Sequence, residues 1–115
     1  MQDEKALALF NEVLTLTKEG RIPWEPVLSE SLIAAIKGKR SLLLRPFEDV
    51  DSWGKEFGRP SLLVKDASDR ELLHVTSHLE GVRPESLQEL YDTARRQAYK
   101  VDQQVDDLIS DLKSL

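Results

Sequence analysis

Glu71, His74 and His78 form the one grouping in the chain with metal-ligand spacing. On a helix they would fall at i, i+3 and i+7, and His74 with His78 at i, i+4 would share a zinc ion. The intervening Leu72, Leu73, Val75 and Thr76 favour a strand instead. In a strand running through to His78 the two imidazoles share a face about 13 Å apart, too far for one ion. The zinc-protease order His-Glu-x-x-His is absent as well. Two independent, half-exposed histidines are the plainer account, and neither a metal nor a cofactor is expected.

Lys37, Lys39, Arg40 and Arg45 place four bases without an acid in nine residues. Set around a hairpin they would make a small basic edge, with Trp53 as a stacking partner for a single-stranded base. The competing account is that lysine and arginine protect an edge strand from pairing with other chains. Arg95 and Arg96, between Asp92 and Lys100, could hold an anion or a partner's carboxylate. Pairing of Asp92 with Arg95 and Arg96 at i, i+3 and i, i+4 is the ordinary alternative, worth about 0.2–0.5 kcal/mol per pair. Asp102, Asp106, Asp107 and Asp111 form an acidic run, without the glycine turn or carbonyl set of a calcium loop, and read as a solvated face.

Catalytic signals are weaker still. The chain has no cysteine, no Gly-x-Ser-x-Gly, no glycine-rich phosphate loop and no suggestive His-Asp-Ser order. Five glycines and a small core make an enclosed active site hard to build. No catalytic residue is assigned, and the chain is not expected to be an enzyme.

The clearest element lies at the other end. Leu87, Tyr91, Ala94, Ala98, Val101, Val105, Leu108, Leu112 and Leu115 alternate spacings of four and three. That rhythm predicts one long amphipathic helix over 84–115, opened by Pro84 and Glu85, with a narrow apolar seam. Its length of roughly 45 Å exceeds the diameter of a compact domain of this size, about 35 Å, so the helix should overhang its own domain. The interaction seam expected from this is Tyr91, Ala94, Ala98, Val101, Val105, Leu108, Leu112 and Leu115, used for self-association.

A second helix is predicted over 3–19. Leu7, Phe10, Val13, Leu14 and Thr17 share a face, Asp3 and Glu4 suit the first-turn dipole, and Gly20 supplies the stop. Pro23 and Pro26 keep the chain extended around Trp24, the expected anchor into the core. Residues 22–78 read as an antiparallel sheet. The ambiguous run 32–36 is taken as a strand because Ser41-Leu42-Leu43-Leu44-Arg45 follows at hairpin distance. Ser61–Lys65 and Glu71–Ser77 form a further pair around the polar 66–70 connection. Residues 46–60 read as a loop pinned by Phe47, Trp53 and Phe57. Leu43, Leu63, Leu73 and Val75 are expected to face inward.

A chain of 115 residues is one domain by length, 1–115, and its composition, 40% hydrophobic and 32% charged, is that of a globular protein rather than a disordered one. The opening MQDEKALALF lacks the basic start of a secretory leader, and no apolar run approaches a membrane span. A cytoplasmic setting is expected. The net charge of −5 is concentrated in the two ends, with six acids to three bases in residues 1–30 and seven to four in 84–115. Such a field disfavours nucleic acid and favours partners with basic surfaces.

Thr17-Lys18-Glu19-Gly20-Arg21-Ile22-Pro23-Trp24-Glu25 and Leu87-Gln88-Glu89-Leu90-Tyr91-Asp92-Thr93-Ala94-Arg95-Arg96-Gln97-Ala98, followed by Val101-Asp102, carry one further signal. In these segments the chain resembles a group of small, uncharacterised bacterial proteins built as helix, antiparallel sheet and long helix. The loop 46–60 is longer than such proteins usually have. The resemblance implies that fold and a bacterial cytoplasm, and supplies no site residue.

The expectation is therefore an α+β fold: an N-terminal helix, an antiparallel meander of three or four strands, and a long C-terminal helix, with both helices on one face of the sheet. Its function would be that of a non-enzymatic protein-interaction or regulatory module, a homodimer through the C-terminal helix. The alternative is a nucleic-acid-associated protein using the Lys37–Arg45 edge.

Overall fold

A computed structural model of the chain describes residues 2–115. Met1 and the side chains of Gln2 and Asp3 lie outside the described residues, and with them the Asp3 part of the expected first-turn charge. The fold is α+β, as expected. Helix α1 spans Gln2–Lys18. Ala6, Phe10, Val13 and Thr17, at intervals of four and three, make its buried stripe. Gly20, at φ 72°, ends it. The Gly20 amide bonds to the Thr17 carbonyl at 3.0 Å and the Arg21 amide to the Leu16 carbonyl at 2.9 Å, the paired bonds of a left-handed glycine cap.

The chain then enters an antiparallel sheet of five strands in the order β1-β2-β3-β6-β7. These are β1 (Glu25–Pro26), β2 (Leu32–Ile36), β3 (Arg40–Arg45), β6 (Ser61–Asp66) and β7 (Glu71–Val75). Residues 32–36 are thus a strand. Lys37 and Gly38 both adopt positive φ, which gives the tight β2–β3 turn the twist its strands need. The two-residue β1 adds a strand to the predicted meander.

Register decides which face is the core. Leu32 pairs with Leu44, Leu44 with Leu62 and Leu62 with Val75, while Ala34, Leu42, Val64 and Leu73 form the neighbouring row. These side chains meet Phe10, Val13, Leu87, Leu90 and Ala94 from the helices in one cluster. A fully buried leucine or phenylalanine contributes about 1.5–3 kcal/mol. Leu43 and Leu63 face each other on the opposite side, in the row Ile33–Leu43–Leu63–His74. The expectation that they share the inward face with Leu73 and Val75 is corrected. Both strands are apolar at every central position (Leu42-Leu43-Leu44, Leu62-Leu63-Val64), so alternation does not distinguish their faces, and a one-residue change of register inverts them.

Residues 46–60 are not a bare loop. They contain a hairpin of β4 (Asp49–Val50) and β5 (Glu56–Phe57). The Asp51 carboxylate closes its turn by accepting the amides of Trp53 at 2.9 Å and Lys55 at 2.8 Å. The three aromatics do not hold it down: Phe47 and Phe57 are partly exposed, and Trp53 is 90% exposed.

The single helix over 84–115 is also corrected. Helix α2 (Pro84–Ala98) stops, Lys100 takes the left-handed conformation (φ 53°, ψ 46°), and α3 (Val101–Lys113) starts anew. No glycine or proline marks the break. It falls where the internal packing surface runs out: Gln97 donates to the Thr17 carbonyl at the end of α1 at 2.6 Å, and Ala98 and Tyr99 are the last residues against the core. Helices α1 and α2 pack together over the inner face of the sheet, α1 against β7 and α2 against β1 and β2.

Candidate functional site

The heptad stripe is split by the elbow at Lys100. Tyr91 and Ala94 are buried in the core and Ala98 lies against it. Beyond the elbow no residue of α3 is buried. Val105, Leu108, Ile109 and Leu112 are 45–57% exposed, and Leu115 is wholly so. The structure therefore brings the expected seam together as two half-seams with different surroundings. The overhang anticipated from helix length is present as α3, whose substantial packing is against α2.

At the elbow a groove of about 540 Å³ is lined by Arg95, Tyr99, Val101, Gln104, Val105 and Leu108. Arg95 lies over the Tyr99 ring, 5.2 Å from its centroid, and reaches the Glu30 carboxylate at 3.3 Å. Arg96 pairs with Asp102 across the break, and Asp92 accepts from Gln88 at 3.1 Å. The Asp92–Arg95 and Asp92–Arg96 pairs expected along the helix are thus replaced. Burial raises the Tyr91 hydroxyl above its ordinary pKa, with the Glu30 charge adding to the effect. That hydroxyl donates to the Glu30 carbonyl, tying α2 to the β1–β2 turn. Asp106, Asp107 and Asp111 are exposed, as a solvated acidic face requires.

Three of the four bases gather at the β2–β3 turn and the fourth stands apart. Lys37 and Lys39 flank the β2–β3 turn, and Arg40 opens β3, which is hydrogen-bonded on both sides. Arg45 ends the same strand about 17 Å away. Arg40 sits opposite Asp66, and Lys65 pairs with Asp69 at 3.3 Å, so acids border the turn. The Arg70 amide, followed by the Ser68 amide and the Arg70 side chain, holds the Asp66 carboxyl below its ordinary pKa and outweighs its desolvation. Trp53 belongs to the hairpin that leaves the sheet at the Arg45–Ser61 pair, the end away from the turn.

A separate cluster was missed by sequence reasoning. Strand β7 ends at Val75, so His74 and His78 are not on one strand face. His74 is paired across from Leu63, while His78 meets Glu48 and Asp49 at the start of β4. The Glu48 side chain is only 5% exposed. Its carboxylate accepts the Ser77 amide at 3.0 Å and the Ser77 hydroxyl at 2.8 Å and 2.9 Å. Burial pushes the Glu48 carboxyl up, but the Ser77 amide and hydroxyl, the Arg59 amide and the His78 charge together hold it below its ordinary value. Gly58, at φ +93°, passes so close that a Cβ there would lie 2.8 Å from Glu48 Cγ. Nothing in sequence spacing signals a contact between residues 29 apart.

No protein-family model, curated protein or solved structure matches the chain. Among the described residues, no helix is long and apolar enough to cross a membrane.

Proposed function

We propose that the protein is a non-enzymatic protein–protein interaction module of the bacterial cytoplasm that self-associates through α3. The observation carrying this reading is the exposure of Val105, Leu108, Ile109, Leu112 and Leu115, while the earlier part of the same heptad run is buried. An apolar stripe of this kind is stabilised by a second surface of matching period.

A second copy in antiparallel orientation suits the flanking residues. In heptad terms the positions beside the seam are Asp102, Gln104, Ile109 and Asp111. Antiparallel pairing sets Gln104 against Asp111 and Asp102 against Ile109, so that no acid faces an acid. It also lays Leu112 and Leu115 of one copy over the elbow groove of the other and keeps the two bodies at opposite ends. Helix dipoles in that orientation attract.

The basic residues support a nucleic-acid role less well, because Arg45 is remote from Lys37, Lys39 and Arg40 and acids border the turn. Light scattering coupled to gel filtration tests the reading. The expected mass is twice the 13.1 kDa of one chain, insensitive to salt, and it falls to a monomer when Leu108→Asp and Leu112→Asp are combined. A wild-type monomer at high concentration overturns it.

A further inference from the structure

We propose that Glu48, Asp49 and His78 form a binding site for a divalent first-row transition-metal ion, with Zn²⁺ the best fit. The three residues offer one imidazole nitrogen and two carboxylate oxygens, all within 4.8 Å of one another. His78 Nε2 lies 3.5 Å from Asp49 Oδ2 and 3.8 Å from Glu48 Oε1. These separations are loose for direct hydrogen bonds, which centre near 2.9 Å. They approach the edge of a tetrahedral ligand set, about 3.4 Å for metal bonds of about 2.0–2.2 Å. Three side chains from two separate segments therefore converge at separations compatible with donors around one ion.

The surroundings hold the donors in place. Ser77 clamps the Glu48 carboxylate through its amide and its hydroxyl, the outer-shell support that ligating carboxylates characteristically receive. Each carboxylate oxygen has a further lone pair, so this clamp leaves Oε1 able to bind an ion. Gly58 provides the space through which the Glu48 side chain passes. The His78 amide donates to the Thr76 hydroxyl at 3.2 Å, which sets the turn that presents the imidazole. His78 and Asp49 are on the accessible side, 72% and 43% exposed, so an ion can enter and water can complete its shell.

The donor set selects the class of ion. An imidazole with two carboxylates and no sulfur suits Zn²⁺ and its first-row neighbours, whereas Ca²⁺ and Mg²⁺ prefer oxygen alone. The site lies apart from α3, so its occupancy and self-association are separately measurable.

The test is Zn²⁺ titration of the untagged full chain at neutral pH, in competition with a chromophoric chelator, alongside NMR of the two histidine rings. One ion per chain with micromolar or tighter affinity is expected, with the His78 ring resonances shifting and those of His74 unmoved. His78→Ala, at an exposed position, and Asp49→Asn, at a partly exposed one, should each weaken binding at least tenfold with unchanged circular dichroism, and His74→Ala should leave it unaltered. Affinity weaker than micromolar in the wild type, or unchanged in His78→Ala, overturns the proposal.

Discussion

The indole N–H of Trp24 donates to the Thr17 hydroxyl at 3.0 Å, and both side chains are closed off from solvent. The Thr17 carbonyl in turn accepts from Gln97, so one residue of α1 joins the entry to the sheet and the end of α2. Thr17→Val keeps the shape and removes the acceptor, leaving a buried donor unpaired. The expected loss is about 1–3 kcal/mol, read from urea unfolding. Combined with Trp24→Phe, the two losses should fall short of their sum, because the second change removes the orphaned donor.

Gly58 is the position where a single methyl should do most harm for its size. Alanine there meets Glu48 Cγ at 2.8 Å and must also adopt φ +93°. Gly58→Ala is expected to cost about 1–3 kcal/mol. Hydrogen exchange of the Ser77 amide, now bonded to Glu48, should accelerate in the variant more than that of the β3 amides.

Glu48 gives the stability a dependence on acid. Its folded-state pKa is below the ordinary 4.5, so its contribution is fully present above that pH. The contribution is lost as pH falls through the folded value. Glu48→Gln should therefore be less stable than wild type at neutral pH, and the gap should close on acidification below about pH 4.5. Thermal melts in chelator-containing buffer check this.

Two left-handed positions should respond unequally. Gly20→Ala places a Cβ at φ 72° and is expected to cost about 1 kcal/mol. Lys100→Gly relieves the same penalty at φ 53° while adding freedom to the unfolded chain, for a net change within about 0.5 kcal/mol. Chemical denaturation of the two variants measures the difference.

Much of the fold is legible along the chain wherever the determinant is local. The spacing of Phe10, Val13 and Thr17, the glycine after α1, the Pro-Trp-Glu-Pro segment and the turn glycine Gly38 each act within a few residues. The elements they specify are found where those residues place them. What escapes is set by contacts across the molecule. The break at Lys100 has no marker, since it depends on where α1 and the sheet cease to offer a surface. The inward face of β3 and β6 depends on register, because both strands are apolar at every central position. The β4–β5 hairpin is closed by the Asp51 carboxylate together with backbone bonds among Asp51, Gly54 and Lys55, in a stretch that reads as irregular. Of the candidate sites, the α3 seam is visible as periodicity. The meeting of Glu48 with Ser77 and His78 exists only once the sheet has folded.

Helix α3 has thirteen residues, a start separated from α2 by a left-handed residue, and no buried side chain. A solitary helix of that length is marginal in water even when rich in alanine, and α3 contains none. Its winding is therefore coupled to whatever covers its apolar stripe, and under the proposed self-association the ellipticity of the protein at 222 nm becomes a report on protein concentration. If the proposed dimer is what covers it, dilution should unwind α3 while the tryptophan fluorescence of the folded body, from Trp24 and Trp53, stays constant.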